Sequence, residues 1–164
     1  AVQAGLHSDV LILAGGVSAG DKDHVPAALA AGGVKEVFHK VLLKPGKPLW
    51  FGRTDRTLVF GLPGNPVSVI ACFEIFVRRA LAWMQSREDD AWTTARLAKP
   101  FEQRARRAVL HPARRTAAGV EIAPWFGSPD LRSVTQSDGF VLLPAGPVDI
   151  QTDTELPALW TRRV

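Results

Sequence analysis

Apolar residues follow two regimes along the chain. Up to about residue 84 they form runs that alternate between strand-like and helix-like spacing, and beyond residue 92 they come in short β-type runs separated by Pro and Gly. Asp9 to Ala14 is a continuous apolar run of the kind found in a strand buried on both faces, and Gly15-Gly16 follow it at once. The spacing predicts a helix over Val25 to Ala31, stopped by Gly32-Gly33. The β-branched content of Val34 to Leu43 predicts a strand. Leu49 to Gly52 and Thr57 to Gly61 flank the polar turn Arg53-Thr54-Asp55-Arg56, a hairpin pattern. A long amphipathic helix is expected from Pro66 to about Met84.

The composition turns charged from Gln85 to Asp90, which marks a boundary. After it come β-type runs at Ala95 to Ala98, Ala108 to Leu110, Val120 to Ile122, Phe140 to Leu143 and Glu155 to Trp160, with no persistent helical period. The expected architecture is an α/β unit over residues 1–86, with ligands at its strand ends, and a small all-β barrel or sandwich over residues 92–164. At about seventy residues the second unit lies at the lower limit of independent stability.

Apolar residues make up 46% of the chain, which excludes a disordered tail, and the net charge of +4 suits an anionic ligand. The segment Arg104 to Arg115 could equally touch nucleic acid, but no aromatic-interleaved basic motif accompanies it. No run reaches the roughly twenty apolar residues of a membrane span, because Glu74 interrupts the best candidate. The single cysteine, Cys72, excludes a disulfide within the chain and reads as a small buried hydrophobe in the helix stripe, a usage that fits a reducing cytoplasm. The chain begins at Ala1 without a methionine or a complete first structural unit, the expectation for a fragment of a longer protein.

Three loops after β-type runs share one chemistry. In Gly61-Leu62-Pro63-Gly64-Asn65-Pro66-Val67-Ser68, Asn65 is a good N-cap and Pro66 falls at the first helical position. The N–H groups of Val67 and Ser68, with the Ser68 hydroxyl and the helix dipole, would then face an oxyanion. In Gly15-Gly16-Val17-Ser18-Ala19-Gly20-Asp21-Lys22-Asp23 the glycines permit close backbone approach, and Asp21 and Asp23 form a carboxylate pair able to hold Mg²⁺. Asp23 equally suits the N-cap of the next helix, and His24 reads as a surface residue at its start. In Lys44-Pro45-Gly46-Lys47-Pro48 two ammonium groups sit on a turn stiffened by Pro45 and Pro48. Their joint occurrence in this order suggests one anion site.

These three motifs together resemble the molybdopterin molybdenumtransferases, the MoeA and gephyrin E-domain group of molybdenum cofactor biosynthesis. The resemblance is strong over Ser8 to Met84. In the β region, Arg104-Ala105-Arg106-Arg107 with His111-Pro112-Ala113, and Trp125 to Leu131 with Ser133, look like the arginine segment and second loop of the family's C-terminal domain. The fold implied is a three-layer α/β/α molybdopterin-binding domain, incomplete at its N-terminus, followed by a small all-β domain. The family's earlier strand, its Thr-Gly-Asp segment and its N-terminal dimer-forming domains have no counterpart in this sequence.

The activity implied is insertion of molybdate into molybdopterin received as an adenylylated intermediate, with Mg²⁺ and release of AMP. The resemblance implies catalytic roles for Asp23, Lys44 and Lys47, and Mg²⁺ ligation by Asp21 and Asp23. It implies substrate binding by Gly15, Gly16, Val17, Ser18, Gly64, Asn65, Pro66, Ser68, Arg107 and Ser133. The physical problem is repulsion between a dianion and a pterin carrying phosphate and thiolates; the cations would offset it, and hydroxyl and backbone donors would orient the oxyanion. Expected partners are the upstream adenylyltransferase and recipient molybdoenzymes, with a homodimer for the full-length protein, no nucleic acid and no membrane. The isolated chain is expected to be inactive. Two other readings are a related adenylyltransferase, disfavoured by the Lys-Pro-Gly-Lys-Pro loop and the β domain, and a gephyrin-like binding scaffold.

Overall fold

The apolar runs of the first half build one sheet with helices on both faces. In chain order the elements are α1 (Val2–Gly5), β1 (Val10–Ala14), α2 (Val25–Ala31), β2 (Lys35–His39), β3 (Leu43–Lys44), β4 (Trp50–Arg53), β5 (Leu58–Leu62) and α3 (Pro66–Cys72). A π-helical turn (Phe73–Val77) then joins α3 to α4 (Arg78–Met84). The structure, a computed structural model, describes residues 2–17, 24–88 and 92–161. The order across the first sheet is β1-β5-β4-β2, with β1 parallel to β5 and the β4–β5 hairpin antiparallel as the polar turn predicts.

Alternate side chains of β1 divide between two layers. Leu11 and Leu13 pack with α1 and α2 residues around buried Leu29, Val34 and Val59, while Val10 joins Phe60, Leu62, Cys72 and Val77 under the other helices. The α/β/α layering is therefore present. The expectation that β1 is buried on both faces is not met: among the described residues β1 pairs only with β5, and Ile12 is 41% exposed.

The run from Val34 to Leu43 also departs from a single strand. It ends as a strand at His39, Lys40 turns with φ 73°, and Leu43–Lys44 then pair with the other sheet. β-branched content cannot report this change of partner. The long helix spans its expected length, but with the π turn at its centre. Such a turn shifts the helical phase by one residue from Phe73 onward. Val67 and Ala71 face a cluster with Leu110, Phe140 and Leu159 of the β region, whereas Cys72 and Val77 face the first sheet.

The second half contains β6 (Trp92–Arg96), β7 (Phe101–Gln103), β8 (Ala108–Thr116), β9 (Gly119–Ile122), α5 (Leu131–Thr135), β10 (Gly139–Leu143), β11 (Val148–Ile150) and β12 (Glu155–Trp160). The order β3-β8-β10-β12-β6, with β9 on the far side of β8, curls on itself. A parallel bridge between Leu97 and Val120, with the Ala98 N–H donating to the Val120 carbonyl at 2.8 Å, joins the β6 end to β9 and closes a barrel. Its interior holds Leu97, Val109, Val141, Leu143 and Leu156. The strands β7 and β11 pair as a separate ribbon. Both are three residues long, too short for a period, and so is the five-residue α5, which corrects the expectation of no helix in this region.

Cys72 behaves as the small buried hydrophobe expected. It is fully buried, burial pushes its thiol up to about 12, and its Sγ donates weakly to the Gly46 carbonyl at 3.7 Å.

Barrel closure depends on Gly119, whose φ is +129° and where a Cβ would lie 2.4 Å from the Arg96 carbonyl oxygen. Replacing Gly119 with Ala is expected to destabilise the protein by about 2 kcal/mol or more, since backbone strain of this kind costs roughly 1–3 kcal/mol before the clash is added. Urea unfolding checks this; an unchanged midpoint would show that the closure carries no strain.

Candidate functional site

Three strand ends bring the three loops together. Because β1 and β5 are parallel neighbours, the loops after Ala14 and Leu62 leave the sheet side by side: the Gly15 N–H donates to the Leu62 carbonyl at 2.9 Å. A Cβ on Gly15 would sit 4.0 Å from the Gly64 Cα, and Gly15 and Gly16 hold positive φ values of 87° and 69°. The Gly15–Val17 turn is anchored from β2, where His39 Nε2 lies 2.9 Å from the Val17 carbonyl oxygen. Ser18, Asp21 and Asp23 lie outside the described residues. The N-cap position of α2 is taken by His24.

The third loop follows β3. Its Lys44–Pro45 peptide is cis, and Gly46 has φ +115°. A Cβ on Gly46 would come within 2.6 Å of Cys72 Sγ, so only glycine lets this loop settle against the helix. Arg107 reaches the loop from the barrel unit, donating through Nη1 to the Leu43 carbonyl at 2.9 Å.

A cavity of about 390 Å³ opens between the Lys44–Pro48 loop, the helix start and the barrel unit; of the expected binding residues, Gly15, Gly16, Val17 and Pro66 are not in its lining. Lys44, Lys47, Gly64, Asn65, Ser68 and Arg107, all expected site residues, line it, joined by Pro45, Gly46, Pro48, Pro63, Trp125 and Ser128. Among the described residues the lining carries three cations and no carboxylate. Lys44 Nζ also lies 5.5 Å from the Trp125 ring centre, within cation–π range.

The helix start differs in detail from the sequence expectation. Asn65 occupies the N-cap position with extended backbone (φ −72°, ψ 131°), but its side chain does not cap α3. Instead Asn65 Nδ2 donates to Ser128 Oγ at 2.7 Å. The Val67 N–H is not free either: it donates to the Ser128 carbonyl at 3.3 Å. Ser128 therefore takes over both the side chain and one backbone donor, because the barrel unit is packed against the helix start. Pro66 begins the helix as expected, and Ser68 is buried yet still lines the cavity.

Ser128 and Trp125 were not singled out as site residues, although both fall in the Trp125–Leu131 segment. A signal was present: Gly127-Ser128-Pro129 repeats the glycine, small polar residue and proline order of Gly64-Asn65-Pro66. Ser133 is placed elsewhere. It lines a different cavity, of about 440 Å³, with Arg114, Phe126 and Arg132. Its hydroxyl donates to the Asp130 carbonyl at 2.9 Å and its N–H to Asp130 Oδ1 at 3.2 Å. The Phe126 N–H on the Asp130 carboxylate, with these Ser133 contacts, holds that carboxyl below its usual range.

Behind Trp125 lies a further cavity of about 340 Å³ that shares Lys44 and Trp125 with the first and is lined by Phe101, Gln103, Arg104, Ala105, Val109 and His111. Trp125 Nε1 is buried and has no hydrogen-bond partner among the described residues, an arrangement that costs about 1–3 kcal/mol unless a ligand or water completes it. Burial holds His111 below its ordinary value; the Lys44 charge acts in the same direction, and the Pro112 carbonyl, 3.1 Å from Nδ1, opposes both.

A family model described as "Probable molybdopterin binding domain" matches residues 1–83. The chain belongs to that molybdopterin-binding domain family. Its named relatives narrow this further. It is 36% identical over 141 residues to the molybdopterin molybdenumtransferase of Synechococcus elongatus, covering 84% of this chain and 34% of the relative. It is 35% identical over 164 residues to molybdopterin molybdenumtransferase 2 of Mycobacterium tuberculosis, covering 91% of this chain and 39% of the relative. The solved structure of a molybdopterin biosynthesis MoeA protein from Pyrococcus horikosii superposes with a TM-score of 0.74 at 25% identity, over 96% of this chain and 38% of that one. The chain thus spans under half the length of these relatives, and the resemblance read from the three loops is borne out.

The depressed His111 has a consequence for stability. Between its ordinary value of 6.5 and its lower folded value, the unfolded chain binds the proton and the native state does not. Stability from this group is therefore complete above pH 6.5 and lost as pH falls below it. Replacing His111 with Phe is expected to flatten the pH dependence of unfolding free energy below pH 6.5. Denaturant curves at pH 5.0 and 7.5 measure it; an equal pH slope in the variant would mean that His111 is not held neutral.

Proposed function

We propose that this chain is the part of a molybdopterin molybdenumtransferase that receives molybdate and the anionic end of adenylylated molybdopterin, for insertion of the metal oxyanion into the dithiolene with release of AMP. The observation that carries this reading is the cavity into which three cations, Lys44, Lys47 and Arg107, converge, walled by loops from both units. Lys44, Lys47 and Arg107 offset the repulsion between the two anionic substrates, Ser68 and Ser128 supply hydroxyls that orient the oxyanion, and the backbone of Gly64, which lines the cavity, with that of Gly15 and Gly16 on the neighbouring loop, receives the substrate phosphate. No protein nucleophile takes part.

In this reading Mg²⁺ is held by Asp21 and Asp23 on the phosphate side, where Asp23 would be catalytic and Ser18 would extend the phosphate cradle. Among the described residues no group of His, Cys, Asp and Glu side chains could hold a metal ion, so the Mg²⁺ assignment rests on those two aspartates and no step is derived through it. Ser133 is left with a supporting role, since its N–H is capped by the Asp130 carboxylate at the start of α5 and it lines a different cavity. An upstream adenylyltransferase and recipient molybdoenzymes as partners, a full-length homodimer, and action in a reducing cytoplasm complete the reading. The chain by itself is expected to bind without efficient turnover. A scaffold function is disfavoured because the three cations are retained in the cavity, and an adenylyltransferase because the Lys44–Pro48 loop and the barrel unit build two of its walls.

Titration calorimetry with molybdate tests the reading. A unit charge pair 4 Å apart contributes about 1 kcal/mol in water and about 4 kcal/mol at an effective dielectric of 20, against about 1 kcal/mol for a neutral hydrogen bond. With both lysines exposed, Lys47→Ala is expected to weaken molybdate roughly tenfold, more than Ser68→Ala does, and the gap is expected to shrink at high salt. Absence of molybdate binding to the folded wild type would favour the scaffold.

A further inference from the structure

Four residues stand in register across the first sheet: Leu13 on β1, Gly61 on β5, Trp50 on β4 and His39 on β2. Residues directly opposite one another in a sheet point to the same face. Gly61 leaves this row without a side chain, and Val17 of the glycine loop fills the gap. A Cβ on Gly61 would lie 2.6 Å from Val17 Cγ1, and Val17 is buried in the cluster of Leu29, Trp50 and Val59. The loop after β1 is thereby folded back over β5 toward β2, where the Val17 carbonyl meets His39 Nε2 at 2.9 Å. A carbonyl oxygen only accepts, so Nε2 carries the proton and donates it.

The same strand end holds the lysine loop. Lys40 turns with φ 73° and its N–H donates to the Leu49 carbonyl at 2.8 Å, while the Val41 N–H donates to the Lys47 carbonyl at 2.9 Å. Three consecutive residues therefore tie the two loops to one element, His39 through its side chain and Lys40 and Val41 through their backbone. The ties differ in kind. The backbone bonds survive a change of side chain at residue 39, whereas the bond to Val17 requires a donor of the right reach there. We propose that His39 is a positioning residue: its Nε2–H fixes the glycine loop relative to the lysine loop, so that the phosphate received by Gly15 and Gly16 and the molybdate at Lys44, Lys47 and Arg107 are held at one set spacing. This rests on the oxyanion reading of the site. His39 is not in the cavity lining, so it acts on the phosphate through the loop and not by contact. Molybdate, held by side chains of the lysine loop and the barrel unit, is indifferent to it. A hydrogen bond that served only the fold would not separate the two anions.

The test is equilibrium binding of AMP, as the phosphate probe, and of molybdate, each alone, to the wild-type chain and to three variants, with urea unfolding of each. His39→Phe keeps a ring and deletes the donor, His39→Gln places an amide N–H about where Nε2 lies, and His39→Asn carries the same amide on a shorter stem. AMP affinity should fall about fivefold or more in His39→Phe and His39→Asn, the scale of one lost hydrogen bond, and return to within about twofold of wild type in His39→Gln, while molybdate affinity stays within about twofold throughout. If His39→Phe does not fold, the Gln and Asn variants carry the comparison. Equal AMP affinity in those two, or parallel losses of AMP and molybdate, would overturn the proposal. So would a wild type that takes molybdate but not AMP, an outcome that leaves the oxyanion reading of the lysine cavity intact. AMP binding that depends on His39, in a protein that takes no molybdate, would support the positioning role and sink the oxyanion reading; a wild type that takes neither anion would overturn both.

Discussion

The site depends on the seating of one helix between two sheets. Val67 and Ala71 on α3 pack against Leu110, Phe140 and Leu159, while Cys72 and Val77 pack under the first sheet. Two faces of α3 are buried at once, Val67 and Ala71 on one and Val69 and Cys72 on the other, so this segment serves two cores before the π turn at Phe73–Val77 is reached. Its N-terminal end, which carries Ser68, is thereby held at the junction of the two units, where neither unit alone would make a cavity. The same junction is tied by the β3–β8 pairing, by Arg107 on the Leu43 carbonyl and by the Ser128 contacts to Asn65 and Val67.

This seating also governs the electrostatics. Lys44 and Lys47 lie on an exposed turn, and ordinary turn lysines are simply solvated. Here Gly46 rests on Cys72, and Trp125 lies beneath the Lys44 ammonium, so the turn is held with both charges over the cavity. Arg107 comes from the other unit and Ser68 from the helix. Each would be unremarked alone, and among the described residues no carboxylate joins them in the lining. That is the condition an anionic substrate requires.

The first half of the fold was legible because its elements are long and their apolar spacing regular. The β4–β5 hairpin, α2 with its glycine stop and the full extent of the Pro66–Met84 helix all follow from local chemistry. The departures occur where tertiary partners override it. β1 reads as doubly buried from its composition, but burial depends on neighbours. Lys40 breaks the Val34–Leu43 run because the chain leaves one sheet for the other. The strands β7 and β11 and the helix α5 are too short for a periodicity to be seen: the strands exist because they pair with each other across the chain, and α5 because Asp130 caps it.

For the site, the sequence by itself determined the chemistry: three glycine- and proline-rich loops after β-type runs, two lysines on a stiff turn, and a helix opened by Asn65-Pro66. Loop residue types follow from local backbone demands, so they can be read in one dimension. Only the tertiary structure decided which groups meet. It put Ser128 rather than the Asn65 side chain at the helix start, placed Ser133 beside another cavity, and left the Trp125 indole N–H without a partner next to a neutral His111. Those outcomes depend on how a barrel closed by the Leu97–Val120 bridge docks on a helix more than twenty residues earlier in the chain, and no local pattern records a docking angle.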